Sequence, residues 1–353
     1  MVVVRGEFLG SVVIRELDVR EFRGIRRLVK PLELGVFNVL IGRNNVGKTA
    51  ILEALYLLAM PYETYMLPPY DKKVLELIAK SHGGLPSLIY GYAGTAVVKY
   101  GLGGEVKTSL RGVGSVSVRD VRIRISRDGD IKVLLNNVVV TDSNYAEFLR
   151  SMGAHITSDV AALYIPNSSW AYDKLHYYVM KDEVLSWIEK RGLHRKVIKD
   201  LIVPTIYDRF TEVTIKRDEL CVRKEVSEDV GPLYINVDSL GEGVKRVLLT
   251  YLVVEYLRPK ILLWDDLEVA VHPSLLESTI GWLASSSRQV VVSTHSIDVL
   301  HALTTVRPRD CRVIVLRKSS EDFVDYRVLP IDEVEELMDS GVDVRKIIDE
   351  LEL

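Results

Sequence analysis

The chain has 353 residues, 48% hydrophobic and 27% charged, with a formal net charge of −3. It is long enough to bury a sizeable core in one large domain or two, and its composition is that of an ordinary globular chain. The charge balance excludes a global basic field for nucleic acid while leaving room for a local basic groove, and two unpaired cysteines, Cys221 and Cys311, exclude a disulfide framework or cysteine metal site.

In chain order, Val12 to Phe22 alternates like a half-buried strand, and Gly24 offers a turn. Leu32 to Leu34 and Phe37 to Ile41 read as strands, Thr49 to Met60 as a helix stopped by Pro61, and Lys72 to Lys80 as a further helix beyond the Pro68-Pro69 loop. From Ala93 to Val140 the pattern is of short strands with glycine turns, including a hairpin of Val116 to Ile125 and Ile131 to Val140 around Asp128-Gly129-Asp130. Ala161 to Ile165 is another strand, Tyr172 to Val203 is helical, and Glu212 to Ile215 with Leu220 to Arg223 forms a hairpin. The α/β character then returns: helix Val244 to Tyr256, strands Ile261 to Trp264 and Gln289 to Ser293 around a helix starting near Pro273, strand Val313 to Leu316, and two short acidic helices at the end.

Gly42-Arg43-Asn44-Asn45-Val46-Gly47-Lys48-Thr49 fits the phosphate-loop pattern Gly-x-x-x-x-Gly-Lys-[Ser/Thr], entered by a strand and left by a helix. Glycines let backbone N–H groups turn inward around a polyphosphate, and the helix N-terminus adds partial positive charge. Lys48 is placed to reach the terminal phosphates, and the Thr49 hydroxyl to ligate Mg²⁺. Ile261 to Asp266 is an apolar strand ending in two carboxylates: Asp265 suits Mg²⁺, and Asp266 the polarisation of an attacking water. His295, in Ser293-Thr294-His295-Ser296, ends the next strand, where an imidazole can sense a γ-phosphate. Ser239 to Arg246 sets Gly241 and Gly243 at a helix N-terminus with Lys245 and Arg246 alongside, an anion site or a plain glycine turn.

In this order, the four elements resemble the ATPase heads of the ABC superfamily, in particular its RecF/SMC/OLD-like branch. Ile14 to Ile25 is similar to that branch's first strand and "nfrgi" turn, Asn44 to Leu55 to its phosphate loop and helix, and Asp265-Asp266-Leu267-Glu268 with His272-Pro273 to its D-E-x-E…H-P block. The resemblance covers about residues 12–60 and 235–300. It implies an α/β P-loop NTPase of ABC-ATPase type whose nucleotide lobe is split by an inserted small β-sheet and helical lid. The expected divisions are 1–92 (phosphate loop), 93–205 (inserted lid), 206–320 (signature, Walker B and His switch) and 321–353 (helical tail). ATP and Mg²⁺ are the implied cofactors, and the implied working unit is a head-to-head homodimer with each ATP between one phosphate loop and the other subunit's Gly241, Gly243 and Lys245.

Three departures shape the expected activity. The usual catalytic glutamate is Asp266, one methylene shorter, so slow hydrolysis is expected, with Glu268 as substitute base. The only glutamine, Gln289, precedes His295, so the transporter glutamine loop is absent and Asn167 is the stand-in for its Mg²⁺ and water contact. The signature reads Leu-Gly-Glu-Gly, which with the missing glutamine loop argues against a transporter subunit. Residues 140–235 carry no sustained heptads, which excludes the SMC coiled coil, and too few residues follow Ser296 for the nuclease domain of OLD proteins. Arg119, Arg122, Arg124 and Arg127 near Trp170, Tyr172, Tyr177 and Tyr178 form either a solvated strand face or a grip for double-stranded DNA. The expected function is an ATPase in DNA repair or defence against foreign DNA; the alternative is an ATP-gated subunit for a separate effector. With no apolar run of membrane length, and with Met1 to Gly6 too short and too soon charged for a signal peptide, a cytoplasmic location is expected. Sparse glutamine among many charges suggests a thermophilic source.

Overall fold

The computed structural model describes residues 12–80, 82–227 and 229–347. The chain opens with β1 (Ile14–Phe22), β2 (Ile25–Leu28), β3 (Leu32–Glu33) and β4 (Phe37–Ile41), then helices α1 (Lys48–Tyr56) and α2 (Val74–Lys80). Strands β5 (Thr95–Leu110), β6 (Gly114–Ser126), β7 (Ile131–Leu135) and β8 (Val138–Val140) lead to α3 (Asp142–Ser151), β9 (Ala162–Ile165), α4 (Ser169–Val179), α5 (Asp182–Lys190) and α6 (Leu193–Val197). Next come β10 (Phe210–Lys216), β11 (Glu219–Lys224), β12 (Leu233–Asn236), α7 (Glu242–Leu257), β13 (Ile261–Trp264), α8 (Pro273–Ala284) and β14 (Gln289–Ser293). The described chain finishes with α9 (Ile297–Val306), β15 (Cys311–Lys318), β16 (Phe323–Pro330) and α10 (Ile331–Asp339).

Five strands, β9-β13-β14-β4-β15, pair in parallel and form the heart of the molecule. Every residue of β4, β9, β13 and β14 is buried, as expected of parallel strands covered on both faces; β9 and β13 accordingly appear in the sequence as unbroken apolar runs, while β4 and β14 bury Asn38, Gln289 and Ser293 among apolar residues. Because they are parallel, their carboxyl ends share one rim, the place where open α/β sheets bind ligands. Helix α1 packs on β9, β13 and β14 beneath that rim.

The sheet continues beyond β15 through β16, β2, β1, β5, β6, β7 and β8, with β3 on β1, making thirteen strands among the described residues. Strand β1 shows why it can join: Ile14, Leu17, Val19 and Phe22 are buried while Arg15, Glu16 and Arg20 are exposed. The inserted strands therefore extend the main sheet through the antiparallel β1–β5 pair instead of closing a sheet of their own. The expected divisions at 92/93 and 205/206 cut across this sheet, since β9 lies inside the range assigned to the lid and pairs with β13. Residues 206–236 do not resume the nucleotide lobe; they form a separate three-stranded sheet, β10-β11-β12.

Three local readings change. The expected strand Ile131 to Val140 is a hairpin, β7 and β8, turning at Asn136 and Asn137, whose φ of 46° and 69° suit the left-handed region that asparagine tolerates. The expected helical tail contains β16, in which Val324, Tyr326 and Leu329 point inward and which pairs with both β15 and β2. Of the two expected terminal acidic helices, α10 is present, and the expectation of the second falls largely on residues outside the described ones, as does that for Met1 to Gly6. The middle segment matches the expectation of no coiled coil, α4, α5 and α6 having 11, 9 and 5 residues.

The lone glutamine has a structural task. Gln289 is fully buried at the start of β14; its Oε1 accepts from the N–H groups of Val13 (3.1 Å) and Ile14 (2.9 Å), and its Nε2 donates to the carbonyls of Ile14 (2.8 Å) and Gly35 (2.9 Å). It staples β1 to the entry of β4 at the end of the sheet away from the rim. Gln289→Leu keeps the volume but orphans these groups, and is expected to lower stability by roughly 2–3 kcal/mol in urea unfolding, with an unchanged m-value.

Candidate nucleotide site

The ends of β4, β9, β13, β14 and β15 and the first residues of α1 and α7 build the site. After β4, the phosphate loop turns through Gly42 (φ 146°), Asn45 (φ 64°) and Gly47 (φ 110°). A Cβ at Gly42 would lie 2.7 Å from the Leu316 carbonyl oxygen of β15, and one at Gly47 3.1 Å from Ile25 Cδ1, so both glycines answer a positive φ and close packing together. Val46 is buried and anchors the loop, while Asn44 and Asn45 are exposed at its tip. A cleft of about 500 Å³ adjoins it, lined by Arg43 to Val46 and by Leu316 to Ser319 at the end of β15. The 316–319 segment was not legible as part of the site, because nothing in the sequence says that β15 lies beside β4.

Lys48 is buried in the first turn of α1, and its ammonium donates to the carbonyls of Gly42 (3.1 Å) and Arg43 (3.2 Å). Burial pulls its pKa below the usual lysine value, opposed by the charges of Asp266, Asp265 and Glu268. Thr49 Oγ1 donates to Asp265 Oδ2 at 2.9 Å, and Ser293 Oγ donates to Asp265 Oδ1 at 2.5 Å. The structure thus bonds Thr49 to Asp265, places Lys48 beside them on the loop carbonyls, and adds Ser293. The signal for Ser293 was its place one residue before Thr294-His295 at the end of an apolar strand. One turn along α1, the buried Glu53 pairs with Arg23 of the β1–β2 turn and with His82 Nε2 (3.0 Å), which fixes that turn against α1.

Asp266 follows with a φ of 49°, its N–H donating to Ser293 Oγ at 2.8 Å. Its Oδ2 accepts from Asn167 Nδ2 at 3.0 Å, and its Oδ1 lies 3.9 Å from His295 Nε2. Asn167, just past β9, is therefore in the site, bound to Asp266 and, through Oδ1, to Arg246 Nη1 at 3.1 Å. Glu268 Oε1 accepts the backbone N–H of His295 at 2.7 Å, while its Oε2 is buried without a partner. The His295 carbonyl accepts from Arg345 Nη1 at 2.9 Å, and Arg345 is itself held by Asp343, so the end of the chain grips the His turn.

The signature segment is more enclosed than expected. Gly241 and Glu242 are exposed at the start of α7, but Gly243 is buried, and a Cβ there would sit 2.1 Å from the Ala270 carbonyl oxygen. Lys245 is paired with Asp238 at 2.6 Å, with His176 Nδ1 3.3 Å from the same carboxylate oxygen. The exposed face of this turn is thus Gly241 and Glu242, not Gly243.

Asp265 controls the electrostatics. Burial raises its pKa to about 6, with the Asp266 charge adding and the Ser293 and Thr49 hydroxyls opposing. The residues present fit ATP with Mg²⁺: an oxygen-only pair, Asp265 and Thr49, beside a buried ammonium and a glycine loop, with the orphaned Glu268 Oε2 facing no partner. Outside this pair, no cluster of three or more His, Cys, Asp or Glu residues suited to a metal occurs among the described residues.

This fold and rim are those of an α/β P-loop NTPase of AAA type, similar in fold to SMC heads. The chain belongs to the AAA-domain family described as putative AbiEii toxin, Type IV TA system, whose profile matches residues 110–301 and so includes Asn167, Asp265, Asp266 and His295. Residues 12–72, with the phosphate loop, match a family described as a protein of unknown function (DUF2813). An uncharacterized protein of Methanocaldococcus jannaschii is 30% identical over 114 residues, 30% of this chain and 99% of that one. Among solved structures, an SMC head bound to the C-terminal winged-helix domain of ScpA has a TM-score of 0.60 at 12% identity, covering 92% of this chain and 99% of that one. A Pyrococcus furiosus SMC head with an extended coiled coil, bound to the C-terminal domain of ScpA, gives 0.57 at 11% (93% and 99% covered), and the Thermotoga maritima SMC head gives 0.51 at 13% (90% and 99%). At these identities they are similar in fold.

A proton would compete with Mg²⁺ for Asp265. Mg²⁺-dependent nucleotide binding is expected to weaken about tenfold per pH unit below pH 6 and to level off above it, measured by titrating a fluorescent ATP analogue. In the apo chain, the raised pKa adds stability fully present below the unfolded value near 3.8 and lost as pH rises through about 6. Asp265→Asn should therefore raise the apo melting temperature at pH 8 relative to wild type, and do so far less at pH 4.

Proposed function

We propose that this chain is an ATP-hydrolysing head that closes on a second copy of itself when ATP is bound, and that it acts in DNA repair or defence against foreign DNA. The observation that carries the reading is the convergence of Lys48, Thr49, Asp265, Asp266, Asn167 and His295 on one rim of the sheet. Lys48 and the backbone of Gly42 to Thr49 would hold the phosphates, and Thr49 with Asp265 would hold Mg²⁺, which when bound neutralises phosphate charge. Asp266 is the candidate base for water. His295, 40% exposed and 3.9 Å from Asp266, stands where it can hydrogen-bond a terminal phosphate. Slow turnover follows from the short side chain of Asp266, one of whose oxygens already accepts from Asn167. Glu268, occupied by the His295 N–H, serves better as an anchor of the His turn than as a substitute base.

Head-to-head closure is supported by the exposed Gly241 and Glu242 at the N-terminus of α7, where a helix dipole offers charge to a partner's nucleotide. Lys245 would join only after leaving Asp238.

DNA is supported by the outer wing of the sheet. Registered pairing sets Lys132, Arg124, Val97, Arg20 and Arg27 side by side across β7, β6, β5, β1 and β2, with all four cations exposed. At about 4.8 Å per strand the row spans roughly 19 Å. The expected aromatic companions do not contribute. Tyr172 and Tyr178 are buried, Trp170 stacks on Tyr70, and α4, which carries them, follows β9 at the opposite end of the sheet. The second reading, an ATP-gated subunit for a separate effector, draws on the engaged Asp266 and on the SMC heads that carry ScpA in their solved structures. No helix among the described residues is long and apolar enough to cross a membrane.

Steady-state ATP hydrolysis with and without duplex DNA tests these readings. Lys48→Ala should lower turnover roughly 10²–10³-fold, and Asp266→Asn by a similar factor; an Asp266→Asn rate equal to wild type would reject Asp266 as the base. DNA should stimulate the wild type, and Arg20→Glu with Arg124→Glu should abolish that stimulation while leaving DNA-free turnover intact. Turnover indifferent to DNA would favour the effector-gated subunit.

A further inference from the structure

The side chains around Asn167 form a chain that neither phosphate binding nor Mg²⁺ ligation requires. Asn167 Nδ2 donates to Asp266 Oδ2 at 3.0 Å, and Asn167 Oδ1 accepts from Arg246 Nη1 at 3.1 Å. Arg246 Nε then donates to Glu242 Oε1 at 3.0 Å. An amide is the neutral group suited to stand between an anion and a cation, since it donates to one and accepts from the other. Arg246 is only 9% exposed, and its guanidinium lies 4.6 Å over the ring of Tyr172. The Tyr172 hydroxyl accepts from Trp264 Nε1 at 3.2 Å, and Trp264 directly precedes Asp265. The first turn of α7 thus reaches the acid turn by two polar routes, and a third contact presses on the same place, Gly243 against the Ala270 carbonyl.

We propose that Asn167 and Arg246 are positioning residues that couple the Asp266 carboxylate of each subunit to Glu242, the exposed residue of α7 that a second head would meet. The proposal rests on the dimeric ATPase reading above and deepens it by naming how one nucleotide site senses the docking of the other. Arg246 is buried, and its charge is balanced by the Glu242 carboxylate, with the Asn167 oxygen and the Tyr172 ring as its other contacts. Glu242 is exposed and free to be drawn toward a partner. When it moves, the planar fork of Arg246 turns with it, because the fork cannot keep both partners in another orientation. Asn167 follows, and the Asp266 oxygen it holds is re-aimed. Binding energy at the dimer interface is thereby converted into the position of the base, with no contact between Arg246 and nucleotide.

An ordinary buried ion pair would stabilise α7 without touching turnover selectively, and a double-mutant cycle on the full chain separates the two. The variants are Asn167→Leu, Arg246→Met and their combination, with Lys48→Ala as the blank. Arg246→Lys replaces Arg246→Met if the latter does not fold. Readouts are the dissociation constant of a fluorescent ATP analogue, kcat, KM and the thermal midpoint. The expected result is nucleotide affinity within about twofold of wild type, kcat lower by on the order of 10²-fold in each single variant, and no further loss in the double. Asn167→Asp keeps the acceptor for Arg246 but sets a carboxylate against Asp266, and should lose as much kcat as Asn167→Leu. Multiplicative losses in the double variant, retained kcat in Asn167→Asp, or losses that track the thermal midpoint would overturn the coupling alone, provided turnover still requires Lys48. Turnover that survives Lys48→Ala would overturn the ATPase reading and the coupling with it.

Discussion

The carboxylate of Asp265 is the constraint on which the rest of the site depends. It is buried at the end of β13 and accepts from Thr49 Oγ1 on one side and Ser293 Oγ on the other. Those hydroxyls come from the helix after β4 and from the end of β14, so one acid ties three segments of the rim together. The cost is a carboxyl held near pKa 6 by burial, with hydroxyl donors and no fixed cation in direct contact. A group in that state stabilises the resting chain poorly and would stabilise an incoming divalent ion well. The same geometry that strains the free protein prepares it for nucleotide.

Around that hub the acids divide the work by position. Asp265 faces Thr49, Asp266 turns toward Asn167 through a left-handed backbone, and Glu268 folds back to hold the N–H of His295. The three carboxylates within four residues take different principal donors, although Ser293 Oγ lies 2.5 Å from Asp265 Oδ1 and 3.5 Å from Asp266 Oδ1. The cations are equally committed: Lys48 to loop carbonyls, Lys245 to Asp238, Arg246 to Glu242 and Asn167. Nucleotide binding in such a site is an exchange of partners, and the order of exchange sets how the molecule responds.

Away from the rim, the chain spends its length on two additions. The antiparallel wing from β5 to β8 widens the main sheet, and β6 and β7 of the wing together with β1 and β2 carry four exposed cations in one row. The segment between β9 and α7 supplies short helices and the β10-β11-β12 sheet. The wing is hydrogen-bonded to β1 and so is continuous with the nucleotide-binding sheet, whereas the small sheet has its own hydrogen-bond ladder.

The sequence by itself determined the parts whose chemistry is local. The phosphate loop, the acid pair after Trp264, His295 after β14 and the glycine turn before α7 were legible because each needs fixed residue types at fixed spacing. The buried parallel strands were legible because burial on both faces demands mainly apolar runs, and β13 and β14 begin and end at the residues read from the sequence. Only the tertiary structure decided which strands are neighbours. Pairing of β1 with β5 turned an expected separate sheet into a wing, and β15 beside β4 brought Leu316 to Ser319 to the phosphate loop. It also decided the partners of polar side chains: Ser293 on Asp265, Asn167 between Asp266 and Arg246, Lys245 on Asp238, Gln289 in four backbone bonds. Residues far apart in the chain share no pattern that announces such bonds; their geometry follows from the strand order and the packing of α7 on the acid turn, which no local spacing encodes.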